Sequence, residues 1–230
     1  MSERPDHDSP AARVMARLSE NFGQPRGNLG RLAGWIMARE NVKANRLVVE
    51  LLDVGARDRV IEVGCGPGVA LADAARRATL GSVVGVDPSP VMVAQAGRRC
   101  RVAIGAGRAE VRRAPAAALP FSDGSFTRAL SVNALPHWPS ASEGLAEMRR
   151  VLGPGGRLVV ALRRQRQGGG VDPHSHGATE AEIEALRAML DDLGLEGVAA
   201  VDHELGRETL VTIMGSVPRA TPPAEAISRL

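Results

Sequence analysis

The chain has no tyrosine, three phenylalanines, two tryptophans and a single lysine, Lys43. So few aromatics leave almost no stacking platforms for single-stranded nucleic acid. Nucleic acid is therefore not expected as substrate or partner, despite the basic balance. The net charge is only +3. The cations are arginines in scattered pairs, Arg76-Arg77, Arg98-Arg99 and Arg149-Arg150, near the ends of expected helices, where positive charge suits the dipole. Two cysteines, Cys65 and Cys100, are too few for a disulfide framework or a cysteine metal set. A reduced, cytoplasmic protein with no metal centre is the expectation. No apolar run approaches the roughly 18 residues of a membrane span. Met1 to Pro10 is polar and lacks the apolar core of a secretory leader.

What is present suits one domain. The chain has 230 residues, 44% hydrophobic and 24% charged, enough to bury a full core. Residues 1–10 are expected to be a disordered tail, 11–216 a single domain, and the proline-rich 217–230 a loose tail. Apolar spacing predicts helices over Ala11–Asn21, Arg31–Glu40 and Asn41–Asp53, so that 11–53 forms part of a cleft. Asn41 and Asn45 share one face of the last of these. From Arg59 on, strand and helix patterns alternate. Strands are predicted at Arg59–Val63, Ser82–Asp87, Glu110–Arg113, Thr127–Asn133, Arg157–Leu162, Val198–Glu204 and Glu208–Ser216. Helices are predicted at Val69–Ala78, Pro90–Arg99, Ser142–Leu152 and Thr179–Leu193. Gly153-Pro154-Gly155-Gly156 reads as a hard stop and turn before the fifth strand. The last two strands are too close for a crossover helix, so they form an antiparallel hairpin. The fold class is α/β: a Rossmann-like, seven-stranded, mostly parallel sheet with an antiparallel C-terminal hairpin strand, helices on both faces and an N-terminal helical cap.

The densest signal is Val60-Ile61-Glu62-Val63-Gly64-Cys65-Gly66-Pro67-Gly68. An apolar strand runs into Gly64, Gly66 and Gly68, and a helix pattern starts at Val69. Glycines allow positive φ and close approach of a ligand, and the helix start supplies free N–H groups. A dinucleotide fingerprint would place its third glycine at position 69. Val69 stands there, which disfavours a nicotinamide oxidoreductase. Glu62 is an acidic group in an apolar strand. It either faces a ligand cation or fixes the loop's backbone donors, or is a strand-end carboxylate satisfied by local amides. Asp87 ends the next strand. It either accepts ribose hydroxyls or caps the helix that follows. Pro88 and Met92 offer apolar contact to a base, or serve as an N-terminal helix proline and a core methionine.

The glycine loop resembles motif I of class I S-adenosylmethionine (SAM) methyltransferases. The resemblance covers about Val60 to Leu162 and includes Asp87, the segment Leu119-Pro120-Phe121-Ser122-Asp123-Gly124-Ser125-Phe126, and the block Glu147 to Arg157. The motif style is that of quinone-biosynthesis methyltransferases. It implies SAM as cofactor, held by Glu62, Gly64, Cys65, Gly66, Gly68, Asp87, Pro88, Met92, Ala116 and Asn133. Two positions depart from the family pattern. Pro115 stands where an Asp usually takes the adenine amino group, leaving that contact to the backbone near Ala116. Thr127 replaces the Asp that usually follows Ser-Phe.

The implied activity is methyl transfer to a small-molecule acceptor at O, N or C, a quinone or lipid being a narrower version. His137, at the end of the fourth strand, is the candidate general base, or a loop histidine without a catalytic task. Trp138 is expected to face the acceptor with it. The alternative function is a non-catalytic SAM- or nucleoside-binding regulator, which Pro115 keeps open. Asp172-Pro173-His174-Ser175-His176 reads as a polar surface loop, a lid beside the acceptor, or a thin metal motif. A homodimer is possible.

Overall fold

The computed structural model describes residues 42–165, 177–206 and 208–219. The expected tail 1–10, the helices Ala11–Asn21 and Arg31–Glu40, Asn41 and the Asp172–His176 loop lie outside the described residues. Helix α1 (Val42–Leu51) leads into β1 (Arg59–Val63), α2 (Val69–Arg77), β2 (Ser82–Asp87), α3 (Pro90–Arg99), the short α4 (Arg101–Gly105) and β3 (Ala109–Arg113). Then come β4 (Phe126–Val132), a 3-10 turn (Leu135–His137), α5 (Ala141–Val151), β5 (Leu152–Arg163), α6 (Glu180–Asp192), β6 (Glu196–Leu205) and β7 (Glu208–Ser216).

The seven strands form one sheet in the order β3-β2-β1-β4-β5-β7-β6. Neighbours from β3 to β5 pair in parallel, and β7 runs antiparallel to both β5 and β6. The seven-stranded sheet with one reversed strand is as the alternating pattern predicts. Strand order turns back between β1 and β4, which opens a crevice at their carboxyl ends. Alternate residues of the central strands enter opposite apolar layers. Ile61, Val63, Ala129 and Val160 pack with α5 and α6. Val60, Val83, Leu130 and Val159 pack with α1 and α2.

Most boundaries fall within a residue or two of expectation, and three features depart further. Strand β5 begins at Leu152, directly after α5, so Gly153–Gly156 is no stop outside the sheet. The pairing jumps from Phe126↔Leu152 to Arg128↔Arg157, and the glycines take up the extra length as an irregularity. Gly155, at φ 72°, lets that bend form. Helix α4 was not expected; its five residues are too few to show a period. Strand β6 is longer at both ends than its apolar core, because its length follows pairing to β7. Helix α6 begins at a capping box, where Thr179 accepts from the Glu182 amide and the Glu182 carboxylate accepts from Thr179 N–H.

Side chains of α5 hold the segment before β4. Arg150 donates to the carbonyls of Leu119 and Phe121 and to the carboxylates of Asp123 and Glu147. Glu147 Oε2 accepts from the Leu119 amide at 2.7 Å. Thr127 Oγ1 donates to Asp58 Oδ1 at 2.7 Å, tying the start of β4 to the approach to β1. Hydrogen bonds from Arg150 hold the Glu147 carboxyl below its ordinary pKa. A depressed carboxyl pKa stabilises the fold above the unfolded value, and that contribution is lost as pH falls through the lowered one. Arg150→Ala is expected to cost about 1–3 kcal/mol in urea unfolding at neutral pH, the range for charge-assisted hydrogen bonds. The deficit narrows in acid. A deficit that stays constant from neutral to acid pH contradicts this.

Candidate functional site

The glycine turn sits at the carboxyl end of β1, and its three glycines are required for different reasons. All have positive φ, 74° at Gly64, 48° at Gly66 and 76° at Gly68. A Cβ on Gly64 would meet Ala134 Cβ, and one on Gly68 would lie 2.9 Å from Ala96 of α3. A Cβ on Gly66 would meet nothing within 4 Å. Gly64 and Gly68 are therefore packing positions, and Gly66 is the one whose bare backbone faces open space. The turn is anchored to β2, with the amides of Gly64 and Cys65 donating to the Val86 carbonyl.

Asp87 makes the second anchor. Its Oδ2 accepts from the Gly66 amide and its Oδ1 from the Ser89 amide, each at 2.9 Å. Burial raises its pKa, and these two amide bonds work against that rise. Asp87 is not the cap of the helix that follows. Ser89 is, its hydroxyl accepting from the Met92 amide. Nothing but a short polar side chain before Pro90 announced Ser89 in the sequence. The Asp87 carbonyl accepts from Ala114 N–H, which brings the end of β3 beside it. Pro115 and Ala116 follow at once, Pro115 exposed and Ala116 buried. Pro88 is exposed at the same rim, and Met92 is buried beneath it.

Glu62 lies under the turn, opposite Gly85 on β2 and Leu130 on β4. It is 2% exposed, and its Oε2 has no hydrogen-bond partner. Burial pushes its pKa up to about 8, with the nearby Asp87 adding to the rise and a bond from the Leu71 amide opposing it. Cys65 turns its side chain into the core, where Sγ would lie 3.0 Å from a Cβ added to Gly85. Only its main chain is placed for a ligand, and its carbonyl already accepts from Gly68 N–H.

Asn133 takes φ 52° at the end of β4. Its Oδ1 accepts from the Arg163 amide at 2.9 Å, stapling β4 to β5. His137 is exposed at the end of the 3-10 turn, and local desolvation pulls its pKa below the ordinary imidazole value. Trp138 does not face an acceptor. It is buried on Gly144, where any Cβ would run into the indole, and its Nε1 lies beside Gly64. The structure thus gathers Glu62, the glycine turn, Asp87, Pro88, Met92 and Ala116 at one crevice, with Asn133 and His137 on its β4 side.

A family model described as a methyltransferase domain matches residues 61–160. The ubiquinone/menaquinone biosynthesis C-methyltransferase UbiE of Geotalea daltonii is 35% identical over 116 residues, which are 50% of this chain and 49% of that protein. The uncharacterized methyltransferase YdaC of Bacillus subtilis is 29% identical over 175 residues, 74% of this chain and 88% of that one. A SAM-dependent methyltransferase from Aquifex aeolicus has the same fold, with a TM-score of 0.61 and 18% identity over 75% of this chain and 89% of its own. Residues 61–160 thus match a methyltransferase domain, and the chain shares the fold of a SAM-dependent methyltransferase. The chain spans about half the length of the UbiE relative, so the shared part is this domain.

Among the described residues of the methyltransferase domain and its flanks, no group of His, Cys, Asp and Glu could hold a metal ion. No helix there is long and apolar enough to cross a membrane. The buried Glu62 generates a pH prediction. A carboxyl whose pKa is raised on folding ionises first in the unfolded chain, so the fold loses stability as pH rises from about 4.5 to about 8. Glu62→Gln removes that penalty. The variant's advantage in urea unfolding is expected to grow across this interval and then level off. An advantage independent of pH contradicts the assignment.

Proposed function

We propose that this protein transfers a methyl group from SAM to a small-molecule acceptor. The observation that carries the reading is the glycine turn closed by Asp87, with the open side of Gly66 facing the crevice. SAM would supply an activated methyl on its sulfonium, so the hard chemistry resides in the cofactor. The residues present fit it. Gly66 offers an approach without Cβ, and the buried, unpartnered Glu62 Oε2 offers a carboxylate for its ammonium group. Each Asp87 oxygen retains a lone pair after its amide bond and can accept a ribose hydroxyl. Pro88 and Met92 would border the adenine, the backbone at Ala116 would replace the carboxylate that Pro115 removes, and the turn from Gly64 through Cys65 to Gly68 would hold the methionyl part. Asn133 would mark the border between cofactor and acceptor.

His137 would take the proton of a hydroxyl acceptor. Its lowered pKa keeps the imidazole neutral, and hence basic, to lower pH than an ordinary histidine. The chain's remaining contribution is to align acceptor and methyl and exclude water. The UbiE relatives support a quinone-directed version. The exposed Pro115 supports the other reading, a SAM-binding protein without turnover.

The test is release of S-adenosylhomocysteine over a panel of hydroxyl, amine and carbon acceptors. Turnover on a hydroxyl acceptor is expected, with His137→Ala reducing kcat while SAM affinity holds. SAM binding with no turnover on any acceptor supports the non-catalytic reading. Asp87→Asn is expected to weaken SAM by about 1–3 kcal/mol, the range for hydrogen bonds to a charged group. Unchanged affinity in calorimetric titration would leave Asp87 only its loop anchor.

A further inference from the structure

The crevice that holds the glycine turn adjoins a second space. A small cleft of about 40 Å³ lies between α1, the ends of β4 and β5, and the β6–β7 hairpin. Lys43, Asn133, Arg163, Glu208 and Thr209 are among its lining residues. It meets the cofactor cradle across two consecutive residues. Asn133 lines the cleft, and Ala134 packs on Gly64 so tightly that no Cβ fits between them.

We propose that this cleft binds the anionic group of the methyl acceptor, a carboxylate or a phosphate monoester, with Lys43 and Arg163 as its cations. The inference rests on the methyl-transfer reading above.

Lys43 is the only lysine in the chain. It lies on α1, where its side chain is exposed and borders the cleft. Lys43 and Arg163 line the same cleft, two cations brought together from distant parts of the chain. Arg163 is placed by two constraints. Its amide is held by Asn133 Oδ1, and its register opposite Leu210 brings it to the hairpin. Its guanidinium lies 3.2 Å from Glu208 Oε2, which orients the group while leaving it 36% exposed. Among the described lining residues, two cations stand against one carboxylate, an excess of positive charge. The guanidinium fork suits planar carboxylate or phosphate oxygens, and the ammonium adds a point charge. An acceptor held there by its anionic end would extend its reacting atom past Asn133 toward the methyl. A neutral quinone would gain nothing from these cations, so the charges favour an acidic acceptor.

Benzoate, phenyl phosphate and the neutral benzamide present one ring with three end groups. Each is titrated into the full chain by ligand-detected NMR, with SAM titrated into the same samples by calorimetry. Benzoate or phenyl phosphate is expected to bind and benzamide to bind far more weakly, the better anion naming the acceptor's group. Lys43→Met and Arg163→Gln are each expected to weaken the anion by roughly tenfold, one charge-assisted bond's worth. Arg57→Gln, at the opposite end of the sheet, leaves it unchanged. Lys43 is exposed, so its replacement spares the fold. SAM binding with equal affinity for benzamide overturns the inference, as does anion affinity untouched by both variants. Absence of SAM binding overturns the methyl-transfer reading instead.

Discussion

The Asp87 carboxylate joins three elements that would otherwise move apart. One oxygen holds the Gly66 amide, the other holds the Ser89 amide, and the residue's own carbonyl holds Ala114. Turn, helix start and third strand therefore meet at the end of β2. An amide left unpaired at such a buried place would cost on the order of 1–3 kcal/mol. The shape of the crevice follows from that triple anchor. Gly66 can present bare backbone because Asp87 fixes the loop from behind. Ser89 is free to cap α3 because Asp87 has taken the other task.

Glu62 brings a second carboxyl beneath the same turn, with a raised pKa and an oxygen that finds no partner. Two carboxyls close to each other and out of water are an unfavourable arrangement for a protein without ligand. A cation between turn and strand relieves it. Glu62 breaks a local rule at the carboxyl edge of the sheet, where open α/β folds carry their ligands.

Much of the fold was legible because its signals are local. Buried strands read as apolar runs, and the gap between β6 and β7 allowed only a hairpin. The glycine turn and Asp87 were legible as a site because spacing alone brings them to adjacent strand ends. Three things were not. Gly153 to Gly156 look like punctuation, but pairing with β4 absorbs them into β5. Trp138 looks like a pocket wall, but its indole fills the space left by Gly144 and lies beside the distant Gly64. The cleft residues Lys43, Arg163 and Glu208 come from three distant segments and carry no spacing that the sequence could show. In each case a long-range partner, invisible to local pattern, decided the outcome.

The fold itself does not choose a reaction, and the site must be judged by what it holds. The most direct measurement is parallel calorimetric titration of the full chain with SAM and with NADH. The account predicts saturable one-to-one binding of SAM, with release of a proton near neutral pH as Glu62 ionises against the ligand's charge, and no binding of NADH. Binding of NADH without SAM would contradict it, and the Gly64-Gly66-Gly68 turn would then have to be read as a dinucleotide cradle.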